Sequence, residues 1–76
     1  MVYAYTTVDA ATGTSEAVCE ALADVENIVD AHIIAGDFDV MIELKGETPH
    51  DVLETITTSV RPLEGVGTTR TYIAID

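Results

Sequence analysis

Basic side chains are the scarcest feature of this chain: Lys45, Arg61 and Arg70 stand against 14 Asp and Glu, for a formal net charge of -11. Nucleic acid is disfavoured as a direct partner, because phosphate binding draws on clustered Lys and Arg. The single cysteine, Cys19, allows no internal disulfide and no second thiol for a metal or cluster site; it reads as a small helix residue at the edge of the core. No apolar run reaches the roughly 18 residues that span a bilayer, and Met1-Val2-Tyr3-Ala4-Tyr5 lacks the basic start of a signal peptide. The expected location is cytoplasmic, without a membrane partner. His32 and His50 fit no metal-ligand spacing, and Asp37 and Asp39 lie in no calcium-type loop. Ser15 and Ser59 fall in predicted helices away from any His-Asp constellation, while Gly65-Val66-Gly67 opens a strand rather than a phosphate-binding helix. No cofactor, metal or catalytic residue is expected.

What the chain does have is patterned apolar content: 47% of its 76 residues are hydrophobic, so the charge lies on the outside of a folded body. Residues 1–76 are read as one domain, since two cores could not close in this length. A domain so small buries only about 60% of its unfolded surface, which favours oligomerisation. An acidic surface with almost no lysine also suggests a salt-loving, archaeal source, where concentrated cations screen self-repulsion.

Val2 to Val8, rich in Tyr, Val and Thr, reads as a strand ending in the turn-like Asp9-Ala10-Ala11-Thr12-Gly13. Thr14 is placed to cap a helix, with Glu16 in its first turn and Val18, Leu22 and Val25 on one face beside Ala21. From Ile28 to Ala35 a second strand sets Val29, Ala31, Ile33 and Ala35 on one side and Ile28, Asp30, His32 and Ile34 on the other. Val40, Ile42 and Leu44 alternate with Met41, Glu43 and Lys45 in a third strand, hairpin-paired to the second. Thr48-Pro49-His50-Asp51 has the cap, the proline and the acid of a capping box. Val52, Ile56, Val60 and Leu63 repeat along that second helix toward Pro62, which helps to stop it. Val66 to Ile75 is the last strand. The order βαββαβ is a ferredoxin-like α+β fold, a four-stranded antiparallel sheet with both helices on one face. Its other face is left bare, with Met41 and either Tyr3 and Tyr5 or their strand neighbours on it, and such a surface marks an association site. A face-to-face dimer follows.

The stretch Gly36-Asp37-Phe38-Asp39 interrupts the apolar run from Ile28 to Leu44. As a plain hairpin turn it would put Gly36 at positive φ, let Asp37 bond nearby backbone and pack Phe38. That leaves Asp39 unexplained, since two acids so close repel without a basic neighbour. Residues 31–39, reading AHIIAGDFD, resemble the signature of the Lrp/AsnC ligand-binding (RAM) domain, in which a strand leads into Gly-x-Tyr/Phe-Asp. Leu63-Glu64-Gly65-Val66-Gly67-Thr68-Thr69-Arg70-Thr71 resembles that family's Pro-Gly-Val-x-x-Thr-x-Thr ending, with Glu64 where proline is usual. The resemblance covers essentially the whole chain. It implies an amino-acid effector module of transcription regulators, pairing through its sheets into a dimeric α+β barrel and assembling into rings of dimers, with effector sites at subunit contacts. The family's usual helix-turn-helix has no counterpart in these residues, so the expectation is a stand-alone effector domain.

Mapped from the motif, the ligand-binding candidates are Gly36, Asp39, Thr69 and Thr71, with His32 and Asp37 behind them. A free amino acid carries an ammonium that an Asp carboxylate accepts, and a carboxylate that N–H or hydroxyl donors bind. The alternative is a pure assembly module that pairs with full-length Lrp/AsnC regulators without a ligand; a small dimeric α+β-barrel enzyme is the third reading. The charge makes one prediction by itself. Lowering KCl from molar to tens of millimolar should lower the thermal midpoint, followed by circular dichroism, and an unchanged midpoint overturns the salt adaptation.

Overall fold

Alternating β-branched and aromatic residues build the sheet that organises the chain, and a computed structural model describes residues 1–76. Strand β1 (Val2–Ala10) is followed by helix α1 (Ser15–Leu22), strands β2 (Ile28–Ile33) and β3 (Val40–Gly46), helix α2 (Pro49–Thr55) with a π-helical turn over Ile56–Val60, and strand β4 (Val66–Ile73). The sheet order is β2-β3-β1-β4, and every neighbouring pair is antiparallel. This is the expected ferredoxin-like arrangement.

Side chains directly opposite in an antiparallel pair share a face. Ala4, Thr6 and Val8 of β1 lie across from Leu44, Ile42 and Val40 of β3, and all six are buried. Val18 and Leu22 of α1 close this side, together with Val52, Ile56 and Val60 of α2 and its π-turn. Each fully buried aliphatic side chain contributes about 1.5–3 kcal/mol through removal from water. Thr6 is the polar member of the layer, and its hydroxyl is satisfied by Thr71 Oγ1 at 2.9 Å.

Local expectations needed correction in several places. β1 continues two residues past Val8, whereas β2 stops at Ile33 and β4 at Ile73. A bulge in β2 pairs Ile28 with Leu44 and Asp30 with Glu43, so Val29 is the extra residue. Ile28 therefore joins Ala31 on the core side, where strict alternation had placed them apart. Thr14 does not cap α1 through its side chain; its hydroxyl donates instead to the Ala11 carbonyl at 2.7 Å. Ala21 is exposed, and Val25 packs against the core from beyond the helix end.

The second helix starts as its sequence dictates. Thr48 Oγ1 accepts from the Asp51 N–H and Asp51 Oδ2 accepts from the Thr48 N–H, both at 3.2 Å. The π-turn was not foreseen, although the spacing contains its cause. Val52, Ile56 and Val60 repeat every four residues, which drifts off one side of a helix with ~3.6 residues per turn. The wider turn, closed by the Arg61 N–H on the Ile56 carbonyl at 2.9 Å, keeps Val60 over the sheet.

After the π-turn the chain re-enters the sheet through Gly65, at φ 92°. A Cβ there would fall 2.6 Å from Thr14 Oγ1 and 2.7 Å from Thr14 Cβ, whereas Gly13, at φ 81°, has nothing within 4 Å of the same position. Gly13→Ala should therefore lose roughly 1 kcal/mol through backbone strain alone, and Gly65→Ala roughly 2–3 kcal/mol through strain and collision together. Urea unfolding measures both, and equal losses would remove the Thr14 contact from the explanation.

Candidate functional site

The connection from β2 to β3 closes on itself and then on β1. Ile34 donates its N–H to the Asp39 carbonyl at 2.9 Å, and Asp39 donates its own N–H to the Val8 carbonyl at 2.9 Å. Asp39 Oδ2 in turn accepts from the Ala10 N–H at 2.9 Å. Ala10 sits where β1 and β4 slip register, Val8 facing Thr69 while Ala10 faces Val66. The carboxylate thus satisfies a backbone donor at an irregular step of the ladder. That is a structural reason for Asp39 which the sequence alone did not supply.

The remaining candidates separate. Gly36 is outside the positive-φ region, contrary to the turn reading, and a Cβ on it would meet nothing within 4 Å. Asp37 is exposed on the same loop. Thr69 faces Val8 across the β1–β4 pair, so β1 lies between it and the loop. Thr71 shares the helix-covered side with Thr6, to which its hydroxyl is bonded. His32 stands opposite Met41 on the bare side, with Nε2 at 3.0 Å from Asp30 Oδ2. Gly36, Asp37 and Asp39 therefore gather at one corner, Thr69 is one strand away, and His32 and Thr71 are on opposite faces of the sheet.

Around this corner the structure adds a contact and a third exposed ring to the residues read from the sequence. Phe38 is half-buried, and the Arg70 guanidinium carbon lies 5.6 Å from the centre of its ring, within the range of a cation–π contact. Arg70 pairs with Thr7, and Tyr72 with Tyr5. Tyr3, Tyr5 and Tyr72 remain 42%, 41% and 57% exposed, so three of the chain's four aromatic rings are left largely uncovered on the bare face. Alternation from Arg70 to Tyr72 was the signal available for the third ring. Ion pairs within 4 Å are limited to His32–Asp30 and His50–Glu54, and Arg70 has no carboxylate partner.

Two concavities mark the surface. An open cleft of about 390 Å³ lies between residues 9–11 and 65–67. A smaller one of about 210 Å³ lies between the end of α1 and the start of β2, with Cys19 on its wall; burial pushes the Cys19 thiol up from its ordinary value. None of the six candidates lines either one. No helix is long and apolar enough to cross a membrane.

Comparison with known proteins gives this geometry a setting. An uncharacterized HTH-type transcriptional regulator of Pyrococcus abyssi is 29% identical over 63 residues, covering 83% of this chain and 42% of the regulator. The chain spans about two fifths of the length of the curated relatives it matches, 42% and 41%. The crystal structure of FFRP-DM1 superimposes with a TM-score of 0.91 at 28% identity, covering 99% of this chain and 100% of that one. A transcriptional regulator of Neisseria meningitidis, solved as a complex with L-Met, shares the fold with a TM-score of 0.87 at 9% identity, over 99% of this chain and 50% of that one. The model of the Lrp/AsnC ligand binding domain matches residues 3–76, and the chain belongs to that family.

Proposed function

We propose that the chain is an effector-binding and assembly module of Lrp/AsnC-type transcription regulation, taking a free amino acid where two subunits meet. The observation that carries this is the incompleteness of the Gly36–Asp39 corner. Its polar groups cluster at one end of a bare, tyrosine-rich sheet face, yet no cavity of the single chain encloses them. A second copy laid on that face would supply the missing wall and cover Tyr3, Tyr5 and Tyr72. Gly36 leaves room for close approach by ligand or partner, and the second oxygen of Asp39 is free to accept from an ammonium. A regulator of the same fold holds L-Met, which favours the amino-acid class. Pairing with full-length regulators without a ligand is the second reading, since the bare face serves it equally.

Thermal unfolding in molar KCl against the twenty free L-amino acids tests the proposal. A ligand at about 100 times its Kd should add roughly 2.7 kcal/mol, a rise of several degrees in a domain of this size; no rise with any of them leaves the assembly reading. Asp39→Ala is a poor probe, because orphaning the Ala10 N–H should itself destabilise by about 1–3 kcal/mol. Gly36→Ala is the clean one: the unliganded midpoint should stay within about 1 °C while the ligand-induced rise shrinks. Light scattering in the same buffer should give a dimer or a multiple of it, and a monomer mass removes the sheet-to-sheet pairing.

A further inference from the structure

Strand register sorts the charges of the bare face by edge. Side chains directly opposite in an antiparallel pair share a side, so Asp30 of β2, Glu43 of β3, Tyr5 of β1 and Tyr72 of β4 form one row across the sheet. The neighbouring row starts at His32 of β2 and ends at Arg70 of β4. Lys45 and Asp9 lie in the outer rows beyond these two. In the middle of the face, then, two carboxylates rise from the β2–β3 half and one guanidinium rises from β4, the opposite edge. None of the three is fully satisfied within the chain. Asp30 and Glu43 stand directly opposite each other, a like-charge arrangement that costs stability. Asp30 has His32 Nε2 at 3.0 Å, but Glu43 has no ion-pair partner. Arg70 is exposed and rests over the Phe38 ring, with no carboxylate within 4 Å.

A second copy on this face closes a dimer through a two-fold axis lying in the plane of contact, with the facing strands kept within about 30° of each other. An axis across the strands stacks β2 on β2 and β4 on β4, which gathers four carboxylates at one edge and two guanidinium groups at the other. An axis along the strands sets β2 and β3 of each copy over β4 and β1 of the other, so that opposite charges meet twice. We propose that Arg70 is the orienting anchor of the sheet-to-sheet dimer, its guanidinium donating to the Asp30–Glu43 carboxylate pair of the second copy, once in each direction. The planar fork of Arg presents several donors and serves two carboxylates at once. Phe38 holds the guanidinium in place beforehand, so less side-chain freedom is lost on association. This rests on the pairing through the bare face proposed above and adds its orientation and the contact that sets it.

Sedimentation equilibrium in molar KCl tests it, since screening there shortens long-range repulsion to about 3 Å while contacts buried at an interface are screened less. Arg70→Glu should weaken dimerisation roughly tenfold or more, and Arg70→Gln by a smaller factor. Reversing the acid pair, Asp30→Lys together with Glu43→Lys, should also weaken it, although that change lowers the net negative charge and by itself would favour association. Combining Arg70→Glu with the reversed pair puts opposite charges back across both contacts, so the triple variant should recover most of the lost affinity. None of the three positions belongs to the buried core, so every variant should keep the native circular dichroism. Wild-type dimerisation in both Arg70→Glu and Arg70→Gln overturns the anchor and leaves the pairing standing. A triple variant no tighter than Arg70→Glu overturns the orientation, because only the crossed arrangement brings residue 70 against residues 30 and 43. A monomer mass for the wild-type chain overturns both the anchor and the pairing.

Discussion

A chain of 76 residues with two short helices can cover one face of a four-stranded sheet, and every other feature of this molecule follows from that one-sided burial. The ten-residue apolar core lies wholly between the helices and the sheet. Strand β1 is its axis, paired on both edges, with Ala4, Thr6 and Val8 sunk in the core and Tyr3, Tyr5 and Thr7 turned outward. A one-residue slip would exchange those two sets. The alternation in β1 therefore fixes at once which side folds the chain and which side is left for contact.

The ends of the ladder show how that central strand is held in place. At its far end β1 outruns its pairing with β3, which stops at Val8–Val40, and slips against β4; the Asp39 N–H on Val8 and the Ala10 N–H on Asp39 hold it on the β3 side, and the Ala11 N–H on Gly65 holds it on the β4 side. Buried or half-buried donors need such acceptors. Because β4 carries an extra residue there, the two backbones splay, and the splay is what opens the cleft beside Asp9. The irregular step and the concavity are one geometric event, which is why the loop between β2 and β3 and the entry to β4 meet at one end of β1 although 26 residues separate Asp39 from Gly65.

Much of this was legible in the sequence. Period-two alternation identified the strands, the Thr48–Asp51 capping box fixed the start of α2, and the element order implied a bare face, while the pairing of β1 with β3 decided that Tyr3 and Tyr5 lie on it. What escaped depends on contacts between segments distant in sequence. The role of Asp39 is to accept a hydrogen bond from a residue 29 positions earlier, and no local pattern encodes that. The bulge at Val29 is equally silent, because one extra residue reverses a face assignment without changing composition. The π-turn is intermediate: the strict four-residue repeat of Val52, Ile56 and Val60 contained the signal, but a 3.6-period template absorbs it unnoticed. Of the candidate site, the Gly36–Asp39 stretch drew attention as an unexplained interruption, while Thr71 and His32 came only with the motif and lie on opposite faces.

Charge placement gives the bare face its character. The face carries three of the fourteen acids, Asp9, Asp30 and Glu43, and two of the three bases, Lys45 and Arg70, so it is close to neutral while the rest of the surface is strongly negative. Two such chains repel at long range, and added salt weakens that repulsion because screening shortens it to about 10 Å at 0.1 M and about 3 Å at 1 M. In the sheet-to-sheet pairing proposed above, the faces would present tyrosine rings and a nearly balanced set of charges, so apolar burial would act without a large like-charge penalty. The same distribution leaves Arg70 as a rare positive spot at the end of an otherwise acidic molecule. Its guanidinium lies over the Phe38 ring, so one of the chain's three basic groups is fixed beside the loop between β2 and β3.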